Sequence, residues 1–269
     1  MKFNLKNLLA LTAVSSALLL TGCGDKNADS NTIKIGVMAG AEAQVAEVAA
    51  KVAKSDYGLN VELVTFTDYV TPNAALDDGS VDINAFQHKP YLDQQIADRG
   101  YKLSIAGNTF VYPIAGYSKQ VKSVDEIQNG ARIAVPNDPT NLGRSLLLLE
   151  QQGLITLRKN VGLLATVRDI TNNPKSLSIV ELEAAQLPRS LDDVTLAVIN
   201  TTYASSINLT PQKDGIFVED KDSPYVNLIV ARQSNVDSDN VKNFVKSYQT
   251  DEVYKAASTI FKGGVVKGW

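Results

Sequence analysis

Arg144 follows Asn141 by three residues in the stretch Asn137-Asp138-Pro139-Thr140-Asn141-Leu142-Gly143-Arg144. A helix beginning at Asp138-Pro139 would set this planar cation and this amide on one face, beside the free N–H groups of the helix start. A guanidinium forks onto a carboxylate, and the helix end adds positive potential, so the pair suits the acid group of a small ligand. Read alone, a helical Arg is more often a solvated surface residue. Two asparagines also stand among apolar neighbours: Asn200 closes the run 196–199, and Asn227 interrupts Val226, Leu228, Ile229 and Val230. An amide so placed needs partners, which a ligand or nearby backbone supplies equally well. Tyr69, Phe86 and Tyr91 offer an apolar wall, although aromatics at such spacing are commonly core. His88 reads as a hydrogen-bonded wall residue sooner than as a metal ligand.

Catalytic templates fare worse. His88 is the only imidazole and Cys23 the only thiol. No G-x-S-x-G elbow, phosphate loop or metal-spaced His pair occurs. Gly263-Gly264 reads as a helix stop, and a carboxylate pair assembled in three dimensions stays open. The expectation is a chain that is not an enzyme and uses no cofactor or metal. A net charge of −3 without a basic run argues against nucleic acid as a partner. A free amino acid needs a cation or helix start for its carboxylate, acceptors for its ammonium, and a shaped apolar pocket. The residues named above can supply all three.

The elements that must position them come next. Residues 1–31 read as processing and tether sequence. Lys2 and Lys6 precede an apolar run over 8–20, broken only by Thr12, Ser15 and Ser16. That run is shorter than the roughly 20 residues a membrane-spanning helix needs. Leu20-Thr21-Gly22-Cys23 resembles the bacterial lipobox, so 1–22 is expected to be a signal peptide. Cys23 is expected to carry lipid, and the polar stretch 23–31 to be a flexible tether. Multiple acyl chains hold a protein to a membrane where one binds only marginally.

In the mature part, Ile33, Ile35 and Val37 alternate as in a strand, and Val45, Val48, Ala49 and Val52 recur with a helix period. With a strand over 61–66 this forms a βαβ unit and implies a parallel sheet. Thr71-Pro72 reads as an N-cap and first helical residue, with Gly79 as the stop. A strand over 81–86 follows, and Gln87-His88-Lys89-Pro90-Tyr91 opens the next helix. The apolar segment 103–117, broken by Gly107, Pro113 and Gly116, suits a crossing between two lobes. Strands are then expected over 132–135, 179–182, 196–199 and 226–231. The helix starting at Asp138-Pro139 buries 146–149, and Val241, Phe244, Val245 and Tyr248 mark the final helix. Residues 76–91 and 191–203 loosely echo one another, each running from a leucine through an Asp pair to a strand, then to Asn and Tyr. Both would offer polar and aromatic groups at a strand's carboxyl end, where open α/β sheets bind ligands.

The combination resembles the methionine-binding lipoprotein family. Four stretches carry the resemblance: Asp82-Ile83-Asn84-Ala85-Phe86-Gln87-His88-Lys89-Pro90-Tyr91-Leu92-Asp93, then Val135-Pro136 running into the Asn137 to Arg144 motif, then Ala197-Val198-Ile199-Asn200-Thr201-Thr202-Tyr203-Ala204, and Ser223-Pro224-Tyr225-Val226-Asn227. The likeness extends from the lipobox to the terminal Lys267-Gly268-Trp269. It implies an α/β, two-lobed periplasmic-binding-protein fold of the type II-like kind, with a ligand cleft between the lobes. Residues 32–113 with 226–269 are expected to form lobe 1 and 114–225 lobe 2. The resemblance further implies a lipoprotein on the periplasmic side of the cell envelope. It would capture methionine for an ABC permease and its ATPase, with open and closed lobes exchanging and ligand favouring closure. By the same resemblance, Arg144 and Asn141 would hold the ligand carboxylate, and Asn200 and Asn227 would fix its polar end. Tyr69, Phe86, His88 and Tyr91 would surround the thioether, each sulfur–aromatic contact contributing about 0.3–1.5 kcal/mol. The same chemistry admits D-methionine, cysteine or cystine, or a methionine dipeptide. From another class, a surface lipoprotein acting in adhesion predicts an exposed apolar patch and no cleft ligand. Two departures stand out. Asp192-Asp193-Val194-Thr195 is slightly short for the family. Gly24 rather than Asp follows Cys23, so the simple inner-membrane retention signal is absent and the membrane stays open.

Overall fold

The computed structural model describes residues 31–220 and 223–269. The expected signal peptide, the lipidation position Cys23 and the tether up to residue 30 lie outside the described residues. In chain order the first elements are β1 (Thr32–Met38), α1 (Ala41–Tyr57), β2 (Asn60–Phe66), α2 (Thr71–Asp77), β3 (Ile83–His88), α3 (Lys89–Arg99) and β4 (Leu103–Val111). Then come β5 (Ala115–Tyr117), β6 (Arg132–Pro136), α4 (Pro139–Gln151), β7 (Thr156–Leu157), β8 (Ile170–Asn172) and β9 (Ser178–Leu182). The chain continues through α5 (Leu187–Ser190), β10 (Leu196–Ile199), α6 (Thr201–Ser206), α7 (Pro211–Asp214) and β11 (Phe217–Val218). It ends with β12 (Val226–Arg232), α8 (Asp239–Tyr248), α9 (Asp251–Ile260) and β13 (Val266–Lys267).

These strands build a six-stranded sheet in the order β13-β4-β12-β3-β1-β2, a five-stranded sheet in the order β11-β5-β10-β6-β9, and the small antiparallel pair β7-β8. β1 lies parallel to both β2 and β3, as a βαβ crossover requires, while β12 returns antiparallel to β3. In the second sheet β6 is parallel to β9 and β10, and β5 closes antiparallel on β10. The chain leaves the first sheet after Val111 and re-enters it at Val226, so the second sheet is an insertion in the first.

Apolar periodicity explains the layers. Val45, Ala46, Ala49, Val52 and Ala53 line one face of α1 and pack with Phe244, Val253 and Phe261 of the C-terminal helices against Ile35 and Ile83. Leu76 and Leu92, from α2 and α3, cover the opposite face over Leu228 and Val230. The second half has its own core around Ile133, Leu146, Leu149 and Val198. A further cluster draws on both halves, joining Met38, Phe86 and Tyr91 to Tyr117, Leu187, Ile199 and Tyr203. The join between the sheets is therefore packed.

Several boundaries differ from the sequence expectation. β3 starts and ends two residues later than 81–86, because Asp82 is bonded to Lys34 just before the strand and His88 caps α3. The apolar segment 103–117 divides into β4 and β5, which belong to different sheets. At α2 it is Asp68, not Thr71, that caps: its carboxylate accepts from the N–H groups of Val70 at 2.8 Å and Thr71 at 2.9 Å. The helix expected to be final is followed by α9 and β13, and Gly263, with φ +80°, turns the chain after α9. No helix among the described residues is long and apolar enough to cross a membrane.

Candidate functional site

Adjacent strands bring the chemistry together. β6 and β10 run parallel with Ala134 opposite Ala197, so their carboxyl ends lie side by side. β6 feeds the start of α4, carrying Asn141 and Arg144, and β10 feeds Asn200 and α6. In the other sheet His88 ends β3 and stands opposite Asn227 on β12. The β12 register shifts near this point, between Leu228 and Ile229; irregularities of this kind recur beside binding sites. Tyr69 comes from the loop before α2 and Tyr91 from the first turn of α3. All eight sequence-named residues, Tyr69, Phe86, His88, Tyr91, Asn141, Arg144, Asn200 and Asn227, line one pocket.

One end of the pocket is polar. Arg144 is buried on α4 at 4% exposure, where an unpaired cation would be very costly. Its Nε donates to Glu219 Oε1 at 2.8 Å, Nη2 pairs with Glu219 Oε2, and Nη2 also donates to the Tyr112 carbonyl oxygen at 3.0 Å. The guanidinium carbon lies 4.3 Å from the Tyr225 ring centre. The carboxylate fork suggested by the sequence is thus made within the chain, and Nη1 is the arm outside these bonds. Asn227 Nδ2 donates to the Phe86 carbonyl oxygen at 3.2 Å.

A chain of side-chain bonds runs beside Arg144. Asp138 caps α4, accepting from the Asn141 backbone N–H at 2.9 Å, and its Oδ2 accepts from Asn141 Nδ2 at 2.9 Å. Asn141 Oδ1 in turn accepts from Asn200 Nδ2 at 2.9 Å and lies 3.2 Å from His88 Nε2. Both ends of the Asn141 amide are therefore engaged. His88 Nδ1 accepts from the Tyr91 N–H at 3.2 Å, which puts the neutral ring's proton on Nε2, toward Asn141. Burial, reinforced by the Arg144 charge, pushes the His88 pKa down to about 3. Asn200 Oδ1 is left buried with no hydrogen-bond partner. An acceptor in that state is costly unless something supplies a donor.

The other end is aromatic. Tyr69 and Phe86 ring centres lie 6.0 Å apart, Phe86 and Tyr91 pack edge-on at 6.0 Å, and Tyr203 adds a ring 4.9 Å from Tyr69. The Tyr91 hydroxyl donates to the Tyr69 backbone carbonyl oxygen at 2.8 Å, which fixes the Tyr91 ring. Among the described residues no His, Cys, Asp and Glu group is placed to hold a metal.

Sequence reasoning missed several of the participants. Gln87, Tyr112, Thr201 and Thr202 also line the pocket. The echo between 76–91 and 191–203 could have raised Tyr203, because it matched that residue to Tyr91. Glu219 carried no signal: it opens the polar run Glu219-Asp220-Lys221-Asp222, which reads as solvated surface. Glu42 was also unmarked. It is 3% exposed and accepts from the Thr202 hydroxyl across the two halves.

The NlpA lipoprotein family model matches residues 33–269. The probable D-methionine-binding lipoprotein MetQ of Vibrio cholerae is 78% identical over 269 residues, covering 100% of both chains. A nutrient-binding protein from Burkholderia cenocepacia, solved bound to methionine, superposes with a TM-score of 0.86 at 52% identity, covering 88% of this chain and 100% of that one. An ABC transporter periplasmic substrate-binding protein from Coxiella burnetii gives a TM-score of 0.86 at 48% identity, with the same 88% and 100% coverage. These relatives are binding proteins, not enzymes.

Proposed function

The chain belongs to the NlpA lipoprotein family, and from that premise we propose that it captures methionine on the periplasmic side of the cell envelope and delivers it to an ABC permease driven by a cytoplasmic ATPase. No bond is made or broken by this chain, and ATP hydrolysis belongs to the partner. The observation that carries the ligand reading is the pairing of Asn200 Oδ1, a buried acceptor without a donor, with the buried Arg144 cation in one pocket. An α-amino acid brings an ammonium that donates, as Asn200 Oδ1 needs, and a carboxylate that can accept from Arg144 Nη1, the arm outside the Glu219 pair. In this reading Arg144 holds the carboxylate, with Nη1 as the available arm, and Asn200 takes the ammonium. Asn227 and Asn141 complete the polar end. Tyr69, Phe86, His88 and Tyr91 face the side chain, and their rings suit a polarizable thioether.

The importer partnership draws on the kinship with the ABC transporter substrate-binding protein of Coxiella burnetii. Attachment to the membrane draws on the lipobox-like Leu20-Thr21-Gly22-Cys23, with Cys23 as the acylated residue. Residues 32–113 with 226–269 act as one lobe and 114–225 as the other, closing on the ligand between them. The relative from Vibrio cholerae is described as probably binding D-methionine, so both enantiomers belong in the test. Thermal unfolding of the detergent-solubilised chain is followed with L-methionine, D-methionine, cystine and a methionine dipeptide. A ligand that binds only the folded state stabilises it by RT ln(1 + [L]/Kd), about 2.7 kcal/mol at one hundred times Kd. Methionine is expected to raise the midpoint most. A larger rise with cystine or the dipeptide would reassign the ligand, and no rise with any of them would remove the binding reading.

A further inference from the structure

An amide side chain can turn either end toward a ligand, so something must decide which atom of Asn200 faces the pocket. Asn200 itself has a single side-chain bond, from Nδ2 to Asn141 Oδ1. If its amide were turned over, Asn200 Oδ1 would face Asn141 Oδ1, acceptor against acceptor. Asn141 is held in turn by Asp138, whose carboxylate only accepts and takes both the Asn141 N–H and its Nδ2. His88 adds a second lock, since its Nδ1 is occupied by the Tyr91 N–H and its Nε2 must then donate to Asn141 Oδ1. Asp138 does not itself line the pocket.

We propose that Asp138 is a positioning residue for ligand selection. Its carboxylate turns the Asn141 and Asn200 amides so that an oxygen, never an N–H, meets the group on the ligand's α-carbon, and the pocket thereby selects an α-ammonium. The inference rests on the ligand reading above and extends it from which residues surround the ligand to what sets their polarity. An N-cap role alone does not predict this. Any good cap preserves α4, and Ser and Asn cap about as well as Asp. The Ser side chain is too short to reach Asn141 Nδ2 from position 138. An Asn there keeps the capping oxygen, which also accepts from Asn141 Nδ2 at 3.0 Å, but sets its own N–H₂ against Asn141 Nδ2 where Oδ2 accepted at 2.9 Å.

Two ligands separate a positioning role from a structural one. Methionine has an ammonium that only donates. Its α-hydroxy analogue keeps the carboxylate and thioether but carries a hydroxyl that donates or accepts, so it tolerates either orientation of Asn200. Calorimetric titration of both into the full-length wild-type chain, D138S and D138N is the test, with ligand-free melting curves to establish that each variant folds. In a folded variant, methionine binding is expected to weaken about tenfold while that of the hydroxy acid stays within about twofold of wild type. If D138S melts early, D138N carries the comparison, because it keeps the capping oxygen. Parallel losses for both ligands would overturn the proposal and leave Asp138 as a cap only. Unchanged methionine affinity would overturn it as well. A wild-type chain that takes up neither ligand would instead remove the ligand reading on which the proposal stands.

Discussion

Glu42 and His88 are both buried ionisable groups at the join between the sheets, and they push stability in opposite directions with pH. Burial raises Glu42 from 4.5 to about 8, against the lowering effect of the Thr202 hydroxyl. The unfolded chain therefore releases this proton near 4.5 and the folded chain near 8. Between those values folding takes up a proton, and stability falls as pH rises, by at most about 1.4 kcal/mol per pH unit. His88 behaves the other way. Burial and the Arg144 charge lower it from 6.5 to about 3, so stability is lost as pH falls through that window. The two slopes oppose each other from 4.5 to 6.5 and leave Glu42 acting alone above 6.5. Glu42→Gln, which keeps an oxygen for Thr202, should therefore flatten the decline between pH 6.5 and 8 in denaturant titrations. Identical slopes for the variant and the wild type would contradict the buried neutral carboxyl. Little of this was legible in the sequence. A glutamate in the first turn of a helix ordinarily complements the helix dipole in solvent, and only tertiary packing, with Thr202 of α6 bonded to it, makes Glu42 a buried group. Arg144 and Asn141 were legible because Asp138-Pro139 announces a helix start and fixes their common face. Glu219, 75 residues from Arg144 in the chain, was hidden by its charged neighbours.

Among the elements, α4 does the most to place the site, and its position depends on one glycine. A Cβ built on Gly143 would lie 2.1 Å from the Leu163 carbonyl oxygen and 2.9 Å from its carbon, both backbone atoms that cannot swing aside. The helix and the turn Gly162–Leu164 can approach this closely only because position 143 lacks a side chain. Gly143→Ala should therefore destabilise the fold by about 1–3 kcal/mol, despite alanine's better helix propensity. It should also weaken ligand binding, since Asn141 and Arg144 flank the contact. Denaturant midpoints and titrations of the variant check both effects, and a midpoint at or above wild type would show that the loop yields freely. The sequence made β1, α1 and α8 readable through their periods, α4 through its Asp138-Pro139 start, and β2 and β10 as short runs rich in apolar residues. β11 and β13 have two residues each and β5 has three, too few for any alternation, and their places come from register with longer neighbours. α9 went unread even though Val253 and Ala257 form a buried stripe, because two apolar residues four apart are a short signal beside the four that mark α8. At β3 the period was clear but the boundary was not, since a strand whose last residue also caps a helix carries two signals at once.

Over the whole molecule, the two larger sheets are joined by two crossings of the chain, and the pocket lies where the strands of both end. Arg144 reaches both crossings, bonding the Tyr112 carbonyl oxygen on the outward passage and Glu219 on the return. A ligand held by Arg144, as proposed, would thereby be tied to both segments that join the sheets. The two-sheet plan was readable from strands alternating with helices and from the break at Pro113. How closely the halves pack was not, because it depends on apolar side chains such as Met38, Phe86 and Tyr203 meeting across the join. If a ligand carboxylate stands against Nη1, the planar guanidinium matters as well as the charge, because it holds Glu219 through Nε and Nη2 at the same time. Arg144→Lys keeps a cation for Glu219 and spares the fold the larger cost of an unpaired buried carboxylate. The most direct test is calorimetric titration of methionine into the detergent-solubilised wild-type chain and into Arg144→Lys. The prediction is one methionine per wild-type chain, with the affinity of the lysine variant lowered at least about tenfold. A wild-type chain that takes up no methionine, or a lysine variant that binds it equally well, would contradict the account.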